Sequence, residues 1–136
     1  MTHLYARTVF FVADAPRALD FYTKTLGFNL DWTYEEKGLP FVFQVSLFGF
    51  ELIINQVESG RTEARPGHGR VFIGLEPKEA VALAEHIASH RIETTDCFWG
   101  APTMAIHDLD RNELFFWLPQ PENRQEDSAG TNDGQA

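Results

Sequence analysis

Short runs of alternating apolar and polar positions divide this chain into strands, and two stretches of helical spacing interrupt them. Arg7 to Val12 is rich in Thr, Val and Phe, the residue types that fit a pleated surface. Ala18, Leu19, Phe21, Tyr22 and Leu26 then recur at helical spacing. Asp14 stands ahead of Pro16 as a capping residue, and Gly27 supplies the stop. Asn29 to Glu36, Phe41 to Leu47 and Phe50 to Gln56 read as three strands, with Lys37-Gly38 and Phe48-Gly49 as the turns between them. The predicted order of this first stretch is β-α-β-β-β.

The same order follows a second time. Residues 58–69 are rich in Gly, Arg, Glu and Pro, show no periodicity and read as a linker. Arg70 to Leu75 repeats the opening strand, with Arg70 placed 63 residues after Arg7. Glu79 to His90 repeats the helix, with Val81, Leu83, Ala84 and Ile87 on its apolar side. Thr94 to Phe98, Thr103 to His107 and Leu114 to Leu118 supply three more strands, the last two joined by the turn-forming run Asp108 to Asn112. Phe50-Glu51-Leu52-Ile53-Ile54 is echoed by Asn112-Glu113-Leu114-Phe115-Phe116. A repeat this long, present twice, fits neither a solenoid nor an array. It predicts one α+β domain over 1–119, built of tandem modules at 7–57 and 70–119 that form a cupped mixed sheet.

Composition narrows the function classes. The 136 residues are 43% hydrophobic, enough for a real core, and 12 of them are Phe. Residues 120–136 are mostly Asn, Gln, Glu, Asp and small types, and are expected to form a disordered tail. No run approaches the roughly 18 apolar residues of a membrane span. The start, Met1 to Leu4, has no basic segment leading into an apolar one. With a single cysteine, Cys97, no internal disulfide can form, so a cytoplasmic protein is expected. A formal net charge of −9 argues against nucleic acid, whose phosphates call for a basic face.

Several motifs resemble those of the vicinal oxygen chelate superfamily, which includes glyoxalases, extradiol dioxygenases, fosfomycin-resistance enzymes and bleomycin-resistance proteins. Val12-Ala13-Asp14, Phe21-Tyr22 and Leu26-Gly27-Phe28 resemble its opening signature, and Trp99-Gly100 a pair found before its penultimate strand. His107 to Leu114 resembles its closing turn, with Leu109 in place of a proline and Arg111 in place of a glycine. The resemblance covers Arg7 to Leu118 and implies paired β-α-β-β-β modules, usually in a homodimer.

The resemblance also implies where a divalent metal would be held in the metal-dependent members. Those four positions fall on Arg7, Ile53, Arg70 and Phe115. A guanidinium has no lone pair to give, and Ile and Phe carry no donor atom, so no metal cofactor is expected. A register shift of two residues would instead bring in His68, Glu51 and Glu113, an alternative set for one divalent ion. Arg7 and Arg70 could clamp an anionic group of a ligand, but pairing with Glu51 and Glu113 is the preferred state, because an unpaired buried arginine is costly.

The aromatic positions carry the expectation of binding. Trp32, Phe43, Trp99 and Phe115, with Arg7 and Arg70, are the candidate ligand-contacting residues, although aromatics in a small β-rich domain are mostly core. Cys97 with His107 lacks an orienting third group, and His86 and His90 are expected on the solvated surface. The expected protein is closest to the metal-free bleomycin-resistance-like branch. It sequesters an aromatic or drug-like ligand in a cleft at a dimer interface, with no catalytic residue. The alternative is a metal-dependent glyoxalase-like lyase, isomerase or dioxygenase.

Overall fold

The computed structural model describes residues 4–58, 65–98 and 102–118. Trp99 and the segment 120–136 therefore lie outside the described residues. The elements run β1 (Thr8–Val12), α1 (Ala15–Asp20) with a π-helical turn (Phe21–Thr25), β2 (Asn29–Glu36), β3 (Leu39–Leu47) and β4 (Phe50–Gln56). They continue as β5 (Arg70–Gly74), α2 (Pro77–His90), β6 (Thr95–Phe98), β7 (Pro102–His107) and β8 (Glu113–Trp117). Each half is thus β-α-β-β-β, and the chain is α+β with two mixed four-stranded sheets, in the orders β1-β4-β3-β2 and β5-β8-β7-β6. In each, the opening strand lies parallel to the last and the rest pair antiparallel.

Local chemistry accounts for the element ends. Asp14 caps α1 by accepting from the Arg17 amide at 3.1 Å. The helix then widens. Leu26 N donates to Phe21 O at 2.9 Å, five residues back, while the Thr23 hydroxyl donates to Leu19 O at 2.7 Å. A Glu76–Glu79 capping box starts α2, and Arg91 ends it in the left-handed region at φ 54°. The β3–β4 turn places Phe48 and Gly49 at φ 55° and 93°, two positive values in a row, as the tightest hairpins require.

One face of each sheet is built into a single shared core. Phe10, Val12, Phe43, Val45, Leu52 and Ile54 from the first sheet join Ile73, Met104, Ile106, Leu114 and Phe116 from the second, with Tyr22, Phe28 and Leu83 between them. On α2 the buried positions are Leu83, with Ala80 and Ile87 half-buried beside it, whereas Val81 and Ala84 are exposed. The expected apolar side of α2 is therefore rotated: residues 80, 83 and 87 form the stripe, and Val81 and Ala84 lie about 100° round from it. His86 is not a solvated residue either. It reaches Thr25 O at 2.9 Å and packs under Gly27, where an added Cβ would come within 2.9 Å of its ring.

The modules are also joined by a buried polar node that the sequence reading did not single out. Asp108 accepts from the amides of Asp110 and Asn112 at 2.9 Å each, from the Asn112 side chain at 2.9 Å and from the Tyr22 hydroxyl at 2.8 Å. The Asn112 side chain donates to Phe11 O at 3.1 Å and accepts from Gly69 N at 2.9 Å. Gly69 is required here, because a Cβ would stand 2.3 Å from the Phe10 ring.

Candidate functional site

Because both sheets give one face to the shared core, their opposite faces turn away from it, and these outer faces carry the polar and aromatic residues of interest. The strand registers sort them into rows. On the first sheet Arg7 lies beside Glu51 and Ser46. The next row holds Val9, Ile53, Gln44 and Trp32, and the third holds Phe11, Asn55, Val42 and Tyr34. On the second sheet Arg70, Glu113 and His107 form one row, then Phe72, Phe115, Ala105 and Thr95, then Gly74, Trp117 and Thr103.

The two arginines occupy equivalent places and make equivalent bonds. Arg7 Nε donates to Glu51 Oε1 at 2.7 Å, and Arg70 Nε donates to Glu113 Oε1 at 2.8 Å. The second oxygen of Glu113 lies 2.9 Å from His107 Nε2. Desolvation pushes the Glu113 carboxyl up, but the hydrogen bonds from His107 and Arg70 outweigh it and hold its pKa below the ordinary glutamate value. The Glu51 hydrogen bond holds the Arg7 guanidinium above its already high value. Both arginines lie over aromatic rings, Arg7 at 4.2 Å from the Tyr5 centroid and Arg70 at 4.6 Å from that of Phe115.

The remaining expected contact residues separate. Trp32 stands on the outer face of the edge strand β2, 43% exposed. Phe115 is also on an outer face but only 3% exposed, beneath the Arg70 guanidinium. Phe43 does not line this surface. It pairs with Thr33 and Ile54, points to the opposite face from Gln44 and Trp32, and is completely buried in the core. The reason is the two-residue period of a strand: a residue next to Gln44 must face the other way. The outer faces also present Tyr34, Phe72 and Trp117, each more than one-third exposed. On the first sheet a cavity of about 290 Å³ lies over Phe11, Tyr34, Phe41, Val42 and Asn55.

The fit to a metal fails at the four positions named from the sequence, since Arg7, Ile53, Arg70 and Phe115 supply no donor. Among the described residues of the single chain no three His, Cys, Asp or Glu side chains converge on one point, and His68, Glu51 and Glu113 are not gathered together there. Glu51 and Glu113 are held by arginines, and His68 is exposed just ahead of β5. No helix among the described residues is long and apolar enough to cross a membrane.

The family described as the glyoxalase/bleomycin resistance protein/dioxygenase superfamily matches residues 4–114. No curated protein matches the sequence. Solved structures of similar fold include the bleomycin-binding protein of bleomycin-producing Streptomyces verticillus, complexed with copper(II)-bleomycin. It is 21% identical with a TM-score of 0.64, over 88% of this chain and 99% of that one. The antibiotic-binding protein TnmS3 of a Streptomyces species is 19% identical with a TM-score of 0.60, over 88% of this chain and all of that one. The fosfomycin resistance protein FosX of Listeria monocytogenes, complexed with Mn(II) and sulfate, is 12% identical with a TM-score of 0.56, over 91% and 96%. At these identities the likeness is one of fold.

Proposed function

This chain belongs to the glyoxalase/bleomycin resistance protein/dioxygenase superfamily, and from that premise we propose that it is a metal-free binding protein. It sequesters an aromatic or drug-like small molecule in the cytoplasm, as the bleomycin-binding protein and TnmS3 are described as binding antibiotics.

The observation that carries this reading is what stands where metal donors would be. Each outer face presents an arginine already bonded to the adjacent glutamate and, beyond it, exposed aromatic side chains, Trp32 and Tyr34 on the first sheet and Phe72 and Trp117 on the second. An apolar surface with a few oriented polar groups suits a flat ligand, and binding there needs shape, stacking and charge with no bond made or broken. Because the outer faces turn away from the shared core, a second copy would supply the opposing wall. The cleft therefore belongs to a homodimer, whose contact buries the exposed Phe72 and Trp117.

A metal-dependent lyase, isomerase or dioxygenase is the second reading, favoured by one observation: His107 and Glu113 sit 2.9 Å apart on an outer face. The test is a thermal-shift panel of flat aromatic compounds alongside metal analysis of the purified protein. Ligands that raise the melting temperature of protein free of stoichiometric metal support binding. A bound divalent ion, lost in Glu113→Gln together with a catalysed reaction, would establish the enzyme instead.

A further inference from the structure

On the outer face of the first sheet, one carboxylate is held in a fixed orientation without a counter-ion. Asp31 Oδ2 accepts from Gln44 Nε2 at 2.8 Å, and Asp31 Oδ1 accepts from the Ser46 hydroxyl at 2.9 Å. Asp31 is exposed, and among the described residues no cationic side chain pairs with it. Both of its oxygens retain lone pairs for a further donor.

The amide that holds Asp31 has a free end of its own. Gln44 is only 3% exposed, and its Oε1 is buried with no hydrogen-bond partner among the described residues. Rotating the amide would not cure this, since it would set the carbonyl oxygen against the Asp31 carboxylate. The acceptor is therefore fixed as an acceptor, and leaving it buried and unpaired is costly. Trp32 stands directly across the ladder from Gln44, half-exposed on an edge strand, and Tyr34 follows it on the same face. One side-chain row further on, about 7 Å away, the cavity over Phe11, Tyr34, Val42 and Asn55 is large enough for a planar ring system.

We propose that this surface is the subsite for a protonated amine carried by a flat aromatic ligand, a substrate class that rests on, and deepens, the binding reading above. The ring system lies in the cavity over Phe11, Tyr34, Val42 and Asn55. The ammonium points along the sheet to Asp31, donates an N–H to Gln44 Oε1, and lies against the Trp32 indole, which turns aside to admit it. Three features that each favour a cation thus converge: an unpaired oriented carboxylate, an orphan carbonyl oxygen and an aromatic face. The net charge of −9 draws such a ligand in from solution, and a carboxylate-bearing ligand is repelled.

Three matched probes test this by calorimetric titration of the full chain: acridine bearing an aminomethyl group (aminoacridine below), whose ammonium is cationic at neutral pH; acridine, neutral; and acridine carboxylate, anionic. The wild type should bind aminoacridine about tenfold or more tightly than acridine, the range expected of a charge-assisted hydrogen bond, and acridine carboxylate least. Asp31→Asn and Gln44→Leu should each erase that preference while leaving acridine affinity in place. Equal binding of aminoacridine and acridine, or a preference that survives both substitutions, overturns this inference and leaves the binding reading intact. Failure of all three probes to bind overturns both. Melting curves of the two variants establish that they fold, and Gln44→Leu, which removes a buried orphan acceptor, should melt no lower than the wild type.

Discussion

The hydroxyl of Tyr22 donates to the carboxylate of Asp108 over 2.8 Å, with both side chains buried, and this bond ties the helix of the first module to the β7–β8 turn of the second. Burial, reinforced by the Asp108 charge, pushes the phenol well above its ordinary pKa, so it remains a donor wherever the protein is folded. Tyr22→Phe keeps the ring and its edge-on contacts with Phe21 and Phe28 and removes only the donor. It should cost about 1–3 kcal/mol in urea denaturation, as expected for a buried charge losing one hydrogen bond. An unchanged midpoint would show that the bond contributes nothing to holding the modules together.

Glu113 predicts a pH dependence of known sign. Its folded pKa lies below the ordinary value because the His107 and Arg70 hydrogen bonds outweigh desolvation. A depressed carboxyl contributes stability above its unfolded pKa and loses it as the pH falls through the folded value. The difference in melting temperature between wild type and Glu113→Gln should therefore be widest near neutrality and close in acid. A difference independent of pH would mean that the carboxylate charge is not what the pair stabilises.

Trp32 and Phe43 should respond in opposite ways to truncation. Phe43 is completely buried, and Phe43→Ala should destabilise by about 3–5 kcal/mol. Trp32 is 43% exposed on an edge strand, so Trp32→Ala should leave the urea midpoint nearly unchanged and weaken aromatic-ligand binding. Calorimetry and denaturation on both variants check the pair; a Trp32→Ala protein that binds as tightly as wild type would remove Trp32 from the site.

If the outer faces meet across a dimer, placing a charge among their exposed aromatics should separate the copies. Phe72 is 53% exposed in the single chain and lies on a face turned away from the core. Phe72→Glu should sediment as a monomer and lose ligand binding, while wild type sediments as a dimer. Monomeric wild-type protein that still binds ligand would refute a shared cleft.

Chelation offers a simple check on the metal-free reading. Dialysis against a strong chelator should leave both the melting temperature and the ligand affinity unchanged, since Arg7, Ile53, Arg70 and Phe115 give a metal nothing to hold. A drop in either that divalent ions restore would place a metal in the binding function.

Much of the fold was legible because strand and helix periods, turn residues and the repeat all point to one arrangement. The Lys37-Gly38 and Phe48-Gly49 turns expected from sequence are both at positive φ, and the Asp14 cap is in place. The arginine–glutamate pairs were readable from corresponding positions in the two modules, because offsets of 44 and 43 residues in the parallel β1–β4 and β5–β8 pairs bring Arg7 beside Glu51 and Arg70 beside Glu113. The misplacement of Phe43 was a question of which face. Alternation groups Phe41 with Phe43 and Trp32 with Tyr34, but a strand's period is blind to which group turns inward.

Trp32 apart, the residues on which the amine subsite rests gave no signal in the sequence, for a physical reason. Asp31, Gln44 and Ser46 are ordinary polar residues on neighbouring strands, and only the β2–β3 pairing, shifted by an irregularity between Leu30 and Trp32, brings them together. The same holds for Tyr22, Asp108 and Asn112, which meet across the module boundary. Local patterning thus determined the two modules and their strands, because these depend on period and turn chemistry alone, whereas the four positions without metal donors were located by the family resemblance. Which faces share the core, which polar atom is left without a partner, and which aromatics remain open were decided only when the two sheets packed.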